Sequence, residues 1–193
     1  MARVVTEYET QLEALIRPLR TAKYQVDVTW SRLEAFLAGW GVDYGGLELN
    51  PDFQRGHVWT ESQQVHFIEN CMRGVVASNG HLLQFNCSTF GDDEGTDLPA
   101  GLQCLDGLQR YTAVTRFVRG EIKVFGLTAA EFANTQFCPK KAYMKVAVHS
   151  FTQRAELLTH YIDINTGGTQ HSAEEIARVR LLLEDAQAQS VVS

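Results

Sequence analysis

The stretch from Leu105 to Arg110, which reads Leu-Asp-Gly-Leu-Gln-Arg, contains residue types that suit an anion-binding site. The apolar run from Gly101 to Leu105 predicts a strand that ends at Asp106 and Gly107, and an amphipathic helix pattern follows. The start of a helix attracts anions because its first backbone N–H groups are free and the helix dipole is positive there. Arg110 would add a planar guanidinium that suits phosphate oxygens. We therefore expect this turn to hold the phosphates of a nucleotide.

A second unusual stretch, from Asn50 to Trp59, combines polar and aromatic side chains. Pro51 and Gly56 interrupt it, so it predicts a loop rather than a helix. The side chains that this loop could present to a ligand are Phe53, Gln54, Arg55, His57 and Trp59. Two interpretations remain open: the loop binds a ligand, or Arg55 is held by backbone carbonyls while the aromatic residues join the core.

Residue types that suit phosphoryl transfer lie in both stretches. This reaction needs positive charge on the phosphate oxygens, a metal ion and a positioned water molecule. Asp106 is a candidate ligand for Mg²⁺, which keeps several waters and takes few carboxylates. Gln109 could orient the attacking water, and Arg55 could neutralise charge across the cleft. The structural alternative is that Asp106 caps the following helix or forms an ion pair with Arg55.

The rest of the sequence supplies the elements that must position these side chains. Periodic apolar residues predict helices from Thr6 to Ala22, Thr29 to Ala38 (closed by Gly39), Thr60 to Gly74, Tyr111 to Arg119, Thr128 to Asn134 and Thr152 to Ile162, and a last helix that begins at Ser172. Strands are predicted from His81 to Phe90, Gly101 to Leu105, Glu121 to Phe125 and Tyr143 to Phe151. Because helices and strands do not alternate regularly, we predict an α+β fold with a small mixed sheet surrounded by helices.

A third polar stretch, Asp163-Ile164-Asn165-Thr166-Gly167-Gly168, is predicted to break the chain between the last two helices. Its two glycines permit a close approach of the backbone to a ligand. We expect this corner to complete the pocket formed by the other two stretches.

The chain length of 193 residues predicts one domain. We divide it into an N-terminal helical extension at 1–22, the domain at 23–186 and a frayed tail at 187–193. The extension could pack on the domain or contact a second copy in a homodimer. No apolar run is long enough to span a bilayer, and the N-terminus lacks a signal-peptide core. We therefore expect a cytoplasmic protein with no membrane partner.

Charge, cysteines and histidines bear on other classes of site. The net charge of −6 argues mildly against non-specific binding to duplex DNA, which requires a positive surface, although it leaves room for a local basic groove. The four cysteines (Cys71, Cys87, Cys104 and Cys138) form no C-x-x-C pair, so buried, reduced thiols are expected. The histidines lack the short spacings of zinc sites, and no zinc is predicted.

Three motifs in sequence resemble one family. Pro51-x-Phe53-Gln54-Arg55-x-x-Val58-Trp59, Asp106-Gly107-x-Gln109-Arg110 and Ile164-Asn165-Thr166-Gly167-Gly168 are similar to signature stretches of the N-terminal domain of GmrSD-type modification-dependent restriction enzymes. The resemblance extends from about Tyr24 to Leu183. It implies a ParB/sulfiredoxin-like fold, in which Gly107, Arg110 and Ala113 match the Gly-x-x-Arg-x-x-Ala pattern of ParB-type nucleotide-binding domains. Leu108 stands where sulfiredoxins place a cysteine, so sulfinic-acid reduction is not expected.

The resemblance implies nucleotide hydrolysis with Mg²⁺ in a restriction or phage-defence setting. The catalytic residues would be Asp106, Gln109 and Arg110. The nucleotide-binding residues would be Gln54, Arg55, Gly107, Arg110, Asn165, Thr166, Gly167 and Gly168. Asp106 and Asn165 would hold the metal, since ParB proteins place an asparagine motif near it.

Two other functions remain open at this point. One is a DNA-binding or DNA-nicking ParB-like protein. The other is a non-enzymatic protein that modulates a defence complex. The His-Asn-His nuclease half of GmrSD-type enzymes has no counterpart in these residues, so DNA cleavage would require a partner protein.

Overall fold

The computed structural model describes residues 5–90, 95–166 and 173–190, which form a mixed five-stranded sheet covered by helices. The helices are α1 (Glu7–Ile16), α2 (Leu33–Tyr44), α3 (Glu61–Met72), α4 (Leu108–Val118), α5 (Arg154–Thr166) and α6 (Ala173–Ser190). The strands are β1 (Tyr24–Thr29), β2 (Leu47–Glu48), β3 (Leu82–Cys87), β4 (Leu102–Asp106) and β5 (Tyr143–His149). The predicted α+β class is confirmed.

The sheet has the strand order β1-β5-β3-β4-β2. The central strand β3 pairs parallel with β5 and antiparallel with β4, while β1 is antiparallel to β5 and β2 is parallel to β4. In the register of the central pair, Gln84 lies opposite Asp106, the last residue of β4. The start of α4 therefore lies beside the middle of the sheet, where neighbouring strands can contribute side chains.

Two buried clusters account for the packing of the described residues. The first lies between one face of the sheet and helices α2, α3 and α4, and it includes Trp30, Leu33, Leu37, Ile68, Phe85 and Phe117. The second joins α5 and α6 to the loop before α3, and it includes Phe53, Leu105, Leu157, Leu158, Tyr161 and Val179. Strand β3 was predicted to be half-buried: Leu83, Phe85 and Cys87 are buried on one face, whereas Leu82 and Gln84 on the other face are only partly buried. Asn86 on that second face is also buried, and it bonds both the N–H and the carbonyl of Phe151.

Helix ends differ from the sequence prediction at glycine and proline. The first helix ends at Ile16 rather than Ala22, because Arg17 takes a left-handed conformation before Pro18. The second helix continues past Gly39 to Tyr44 and closes at Gly45, where φ is +99°. Gly41 is buried in this extension, and a Cβ there would lie 3.0 Å from the Cβ of Leu47. The glycine therefore permits close packing of α2 against β2.

The predicted break from Asp163 is wrong for its first four residues, which continue α5 as far as Thr166. The amide of Asn165 donates to the carbonyl of Tyr161 one turn earlier, so this polar side chain satisfies helical geometry. Gly167, Gly168 and the predicted cap at Ser172 lie outside the described residues. Helix α6 runs to Ser190, beyond Gln187, where the frayed tail was expected to begin.

Three further segments differ from the prediction or were missed. Strand β1, at one edge of the sheet, was not predicted. At the other edge, the stretch from Gly41 to Leu49, expected to be a loop leading to a short extended piece, ends in the two-residue strand β2. The expected strand from Glu121 to Phe125 contributes only an isolated bridge between Val124 and Leu127. Helix α1 has no buried residue, and no helix within the described ranges is long and apolar enough to cross a membrane.

Candidate functional site

The three polar stretches meet at one cleft of about 620 Å³. The loop before α3 contributes Gln54, Arg55 and Trp59 to its lining. The turn into α4 contributes Asp106 to Arg110, and the end of α5 contributes Asp163 to Asn165. Thr166 is exposed, lies outside this lining, and donates its hydroxyl to the carbonyl of Asp163 at 3.3 Å. The structure thus brings together most of the residues selected from the sequence.

Gly107 allows β4 to turn directly into α4. It caps the helix with φ at +106°, a conformation that favours glycine. A Cβ at this position would lie 2.5 Å from Leu83 Cδ2 and 3.2 Å from Leu83 Cα. The backbone N–H groups of Gln109 and Arg110 have no hydrogen-bond acceptor among the described residues. The start of α4 therefore presents free donors at the positive end of its dipole to the cleft.

Arg110 is fixed at the edge of the cleft by two contacts. Its Nε donates to the carbonyl of Leu82 at 3.1 Å, and its Nη2 donates to the carboxylate of Asp106. Its Nη1 has no partner within the described part of the chain. Asp106 is not the helix cap, because Gly107 occupies that position. Nor does Asp106 pair with Arg55, which forms an ion pair of 3.3 Å with Glu175 instead.

Gln109 fastens the loop before α3 to the start of α4. Its Oε1 accepts hydrogen bonds from the N–H groups of Val58 and Trp59, both at 3.0 Å. Its Nε2 donates to the carbonyl of Gly56 at 2.8 Å. These contacts give Gln109 a positioning role in this structure, and its predicted orientation of a water molecule stays a prediction.

The other end of the same loop is held by Gln54 and Arg178. Gln54 Nε2 donates to the carbonyls of Cys104 and Leu105 at 2.9 and 3.0 Å. Arg178 of α6 donates to the carbonyls of Asp52, Phe53 and Gln54, the last two at 3.0 and 2.9 Å. The sequence analysis missed Arg178, since no local pattern relates α6 to a loop that lies 126 residues earlier.

The end of α5 contributes two oxygen-bearing side chains to the cleft. Asn165 is buried, with its Nδ2 at 2.7 Å from the carbonyl of Tyr161, so its Oδ1 is the atom left for a ligand. Asp163 is exposed, and its carboxylate has no hydrogen bond or ion pair among the residues described. The sequence analysis placed Asp163 in a helix break and did not select it as a site residue.

The charges in the cleft nearly cancel. Arg55 and Arg110 line it together with Asp106 and Asp163. The carboxylate and amide oxygens of this set are ligand types that Mg²⁺ accepts. No group of three or more His, Cys, Asp or Glu side chains arranged to hold a metal is found within the described residues. Mg²⁺ commonly uses one or two carboxylates plus phosphate oxygens and water, and the side-chain oxygens that the cleft offers to such an ion are those of Asp106, Asp163 and Asn165.

Cys104 lies directly beneath the cleft but is chemically inert there. Burial raises the pKa of its thiol to about 12, and the nearby Asp106 carboxylate acts in the same direction. A thiol with this pKa is almost entirely protonated at neutral pH, whereas nucleophilic cysteines require the thiolate. Cys104 is only 1% exposed and does not line the cleft, so the groups that the cleft offers to a ligand are its arginines, carboxylates and backbone N–H groups.

Comparison with known proteins identifies the family to which these motifs point. Residues 42–182 match the family described as GmrSD restriction endonuclease, N-terminal domain. The match covers most of the chain and includes all three stretches that line the cleft. A comparison with curated proteins and one with solved structures gave no match.

Proposed function

Because this chain belongs to the family of GmrSD restriction endonuclease N-terminal domains, we propose that its cleft binds a nucleoside triphosphate with Mg²⁺ and hydrolyses it. Family membership indicates a role in restriction or phage defence. Binding and hydrolysis of the nucleotide would be the event that controls DNA cleavage by a nuclease-domain partner. The reaction adds water to the terminal phosphorus, breaks its bond to the bridging oxygen, and releases a nucleoside diphosphate and phosphate.

The single observation that carries this proposal is the start of α4. The N–H groups of Gln109 and Arg110 have no acceptor among the described residues. They lie at the positive end of α4, which borders a cleft that Arg55 and Arg110 also line. Backbone donors at a helix start suit phosphate oxygens, and guanidinium groups add charge-assisted hydrogen bonds. A cleft of about 620 Å³ is within the usual size range of small-molecule sites.

The charge of the cleft supports a metal–nucleotide complex rather than a free nucleotide. Two aspartates offset the two arginines, so the cleft alone does not neutralise a triphosphate. Asp106, Asp163 and the Oδ1 of Asn165 would hold Mg²⁺, which would bridge phosphate oxygens and neutralise charge that develops during transfer. Asp163 is thus added to the predicted metal ligands Asp106 and Asn165, and Thr166, which was predicted to bind the nucleotide, is left out because it does not line the cleft.

The remaining residues position this machinery. Gln109 and Gln54 fix the loop that carries Arg55, and Gly107 permits the turn that exposes the N–H groups. Arg55 and Arg110 would contact phosphate oxygens, and the unpartnered Nη1 of Arg110 is free to do so without breaking its two existing contacts. We therefore describe Gln109 as a positioning residue, and Arg110 as a residue that contacts the nucleotide.

The test is nucleotide-dependent stabilisation. Each of the four ribonucleoside triphosphates is added to the protein with and without Mg²⁺, and thermal unfolding is followed. One of them, at 100 times its dissociation constant, should add about 2.7 kcal/mol to the free energy of unfolding. Arg110→Ala should abolish this gain and phosphate release. Arg119→Ala is the matched control, since Arg119 follows the opposite end of α4 and forms surface ion pairs with Glu34 and Glu121.

Two results would contradict the proposal. One is the absence of stabilisation by any triphosphate in the presence of Mg²⁺. The other is equal loss in Arg110→Ala and Arg119→Ala, which would show that general helix stability is measured rather than contact with phosphate. Binding of duplex DNA that weakens steeply with salt and ignores nucleotide would instead favour the DNA-binding alternative.

A further inference from the structure

Two buried histidines lie together between the end of β5 and α5, away from the proposed phosphate-binding turn. The ring centroids of His149 and His160 are 4.6 Å apart, and the two residues are 4% and 5% exposed. His149 Nδ1 and His160 Nε2 are buried and have no hydrogen-bond partner in the structure described. An unpaired buried polar atom costs about 1–3 kcal/mol, so a pair of them in one place calls for a ligand.

The contact of His149 with Gln84 fixes which ring nitrogen carries the proton. His149 Nε2 lies 3.1 Å from Gln84 Oε1. Because Oε1 only accepts, Nε2 must donate, and Nδ1 of the neutral ring is left with a free lone pair. Metal-binding histidines have this arrangement, in which the second ring nitrogen donates to a carbonyl or carboxylate oxygen that orients the ring.

Both rings are in the protonation state that binds metal at neutral pH. Burial lowers the pKa of His149 to about 4, with smaller contributions from His160 and Arg20. Burial also lowers the pKa of His160, while Asp163 opposes this change. These shifts accompany the burial of the two rings, and the site itself rests on the geometry: two unpartnered, buried ring nitrogens on imidazoles whose centroids are 4.6 Å apart.

The spacing of the rings also suits a shared ion. When two histidines bind one ion through metal–nitrogen bonds of about 2.0–2.1 Å, their ring centroids are about 4.5–5.2 Å apart. The lower value belongs to the nitrogen–metal–nitrogen angle of a square-planar site, and the upper value to that of a tetrahedral site. The observed 4.6 Å is at the lower end of this range. The ring of Phe151 packs against both imidazoles, with centroid distances of 5.6 and 4.9 Å, so packing alone also accounts for this spacing. No hydrogen bond joins the two histidine rings, and it is their unpartnered nitrogens that point to an ion.

Access and charge permit a cation at this place. His160 lines an open cleft of about 820 Å³ to which Asp163 and Arg20 also contribute. The charge of Arg20 is offset by Glu156, at 3.0 Å. No third His, Cys, Asp or Glu completes a ligand set within the described residues. Because both nitrogens are closed to solvent, the rings must open toward this cleft before water can fill the remaining positions of the ion.

We propose that His149 Nδ1 and His160 Nε2 bind one divalent transition-metal ion of the kind that prefers imidazole, such as Zn²⁺ or Co²⁺. Imidazole ligands favour these ions over Mg²⁺, so the site differs in chemistry from the proposed nucleotide cleft. The two ligands are separated by eleven positions in the sequence and come from a strand and a helix. This is why the short-spacing patterns of zinc motifs did not reveal them.

The experiment titrates EDTA-treated, buffer-exchanged full-length protein with Co²⁺, followed by visible absorption, and with Zn²⁺, followed by calorimetry. We expect about one equivalent to bind. His149→Gln and His160→Gln should each weaken binding at least 100-fold, and Gln84→Leu should weaken it by 10- to 100-fold through loss of ring orientation. His66→Gln is the control, because His66 is an exposed histidine whose one hydrogen bond within the described ranges is to Asn70.

A second measurement keeps the test valid if a variant unfolds. In the wild-type protein labelled with ¹⁵N, Zn²⁺ should shift the Nδ1 signal of His149 and the Nε2 signal of His160. Unchanged signals, or affinities that His149→Gln and His160→Gln leave intact in folded protein, would overturn the proposal and leave a bound water as the partner of these atoms. Neither outcome depends on whether the cleft binds nucleotide.

Discussion

Gly107 is a residue whose replacement should have a large and specific cost. Alanine there would strain a φ of +106° and would lie 3.2 Å from Leu83 Cα and 3.3 Å from the Leu82 carbonyl, neither of which can move freely. We expect Gly107→Ala to lower the free energy of unfolding by about 2–4 kcal/mol. Urea denaturation measures this loss.

Gly120 provides the matched control for this substitution. It also has a positive φ, +77°, but a Cβ there meets nothing within 4 Å. Gly120→Ala should therefore cost only the backbone strain, about 1 kcal/mol. Equal costs for the two substitutions would show that close packing against Leu83 does not explain the glycine at 107.

Some site residues could be selected from the sequence and others could not. Gly107 and Arg110 are local signals, because a glycine between a strand and a helix and an arginine in the first turn can be recognised without tertiary structure. Asp163 and Arg178 depend on the direction in which α5 and α6 pack, and no local spacing encodes that direction. The contacts of Gln109 were likewise not predictable, because its partners lie in a loop more than 50 positions earlier.

At the scale of elements, Gln109 joins the loop before α3 to α4. Gln109→Ala would leave the N–H groups of Val58 and Trp59 and the carbonyl of Gly56 without their present partner. We expect Gln109→Ala to lower the free energy of unfolding by about 1–2 kcal/mol, because some of these backbone groups can form hydrogen bonds with water instead. Hydrogen exchange of the Val58 and Trp59 amides should become faster at the same time.

Gln25→Ala is the control for the loop. Gln25 is an exposed residue of β1, and its side chain makes no hydrogen bond to another described residue. Gln25→Ala should therefore change neither the stability of the protein nor the hydrogen exchange of the Val58 and Trp59 amides. If Gln109→Ala also leaves these amides protected, then the loop is held by Gln54 and Arg178 alone.

The elements that were predicted well are those with a complete local signal. The capping box from Thr60 to Gln63 is present at the start of α3, and α4 follows its amphipathic pattern. The prediction ended α2 at Gly39 because glycine often closes a helix, but the helix continues through Gly39 and Gly41 and closes at Gly45, which has a φ of +99°. The close approach of Leu47 to Gly41 is a tertiary contact that no local pattern shows. The prediction ended α5 too early, at Ile162, because polar residues before two glycines are typical of a turn. The burial of Asn165, which keeps this stretch helical, depends on tertiary packing.

For the whole molecule, the two buried histidines predict how stability depends on pH. The folded protein holds His149 with a pKa of about 4, below its ordinary value of 6.5, because the ring is buried. The unfolded chain therefore binds more protons between these two values, and stability is lost as the pH falls from about 6.5 to about 4. Since a tenfold change in proton affinity corresponds to about 1.4 kcal/mol, the loss from His149 is about 3 kcal/mol.

Comparison of the wild-type protein with His149→Gln isolates this effect, because carboxylates titrate in both proteins over the same range. Urea denaturation is carried out in EDTA at pH 7.5, 6.0, 5.0 and 4.5. The difference in unfolding free energy between the two proteins should shrink as the pH falls. A constant difference would show that His149 keeps its ordinary pKa and that burial does not hold it neutral.

The contacts of Arg178 have a consequence for communication across the molecule. Three backbone carbonyls of the loop that carries Arg55 are bonded to this one guanidinium of α6, and Arg55 itself pairs with Glu175 of the same helix. A change that displaced α6 would thus disturb the wall of the cleft that carries Arg55. By reciprocity, a ligand that bound to this wall and stabilised it would strengthen the packing of α6 by the same free energy. If the proposed nucleotide binds in the cleft, α6 is therefore an element through which its binding and the contacts of this helix would be coupled.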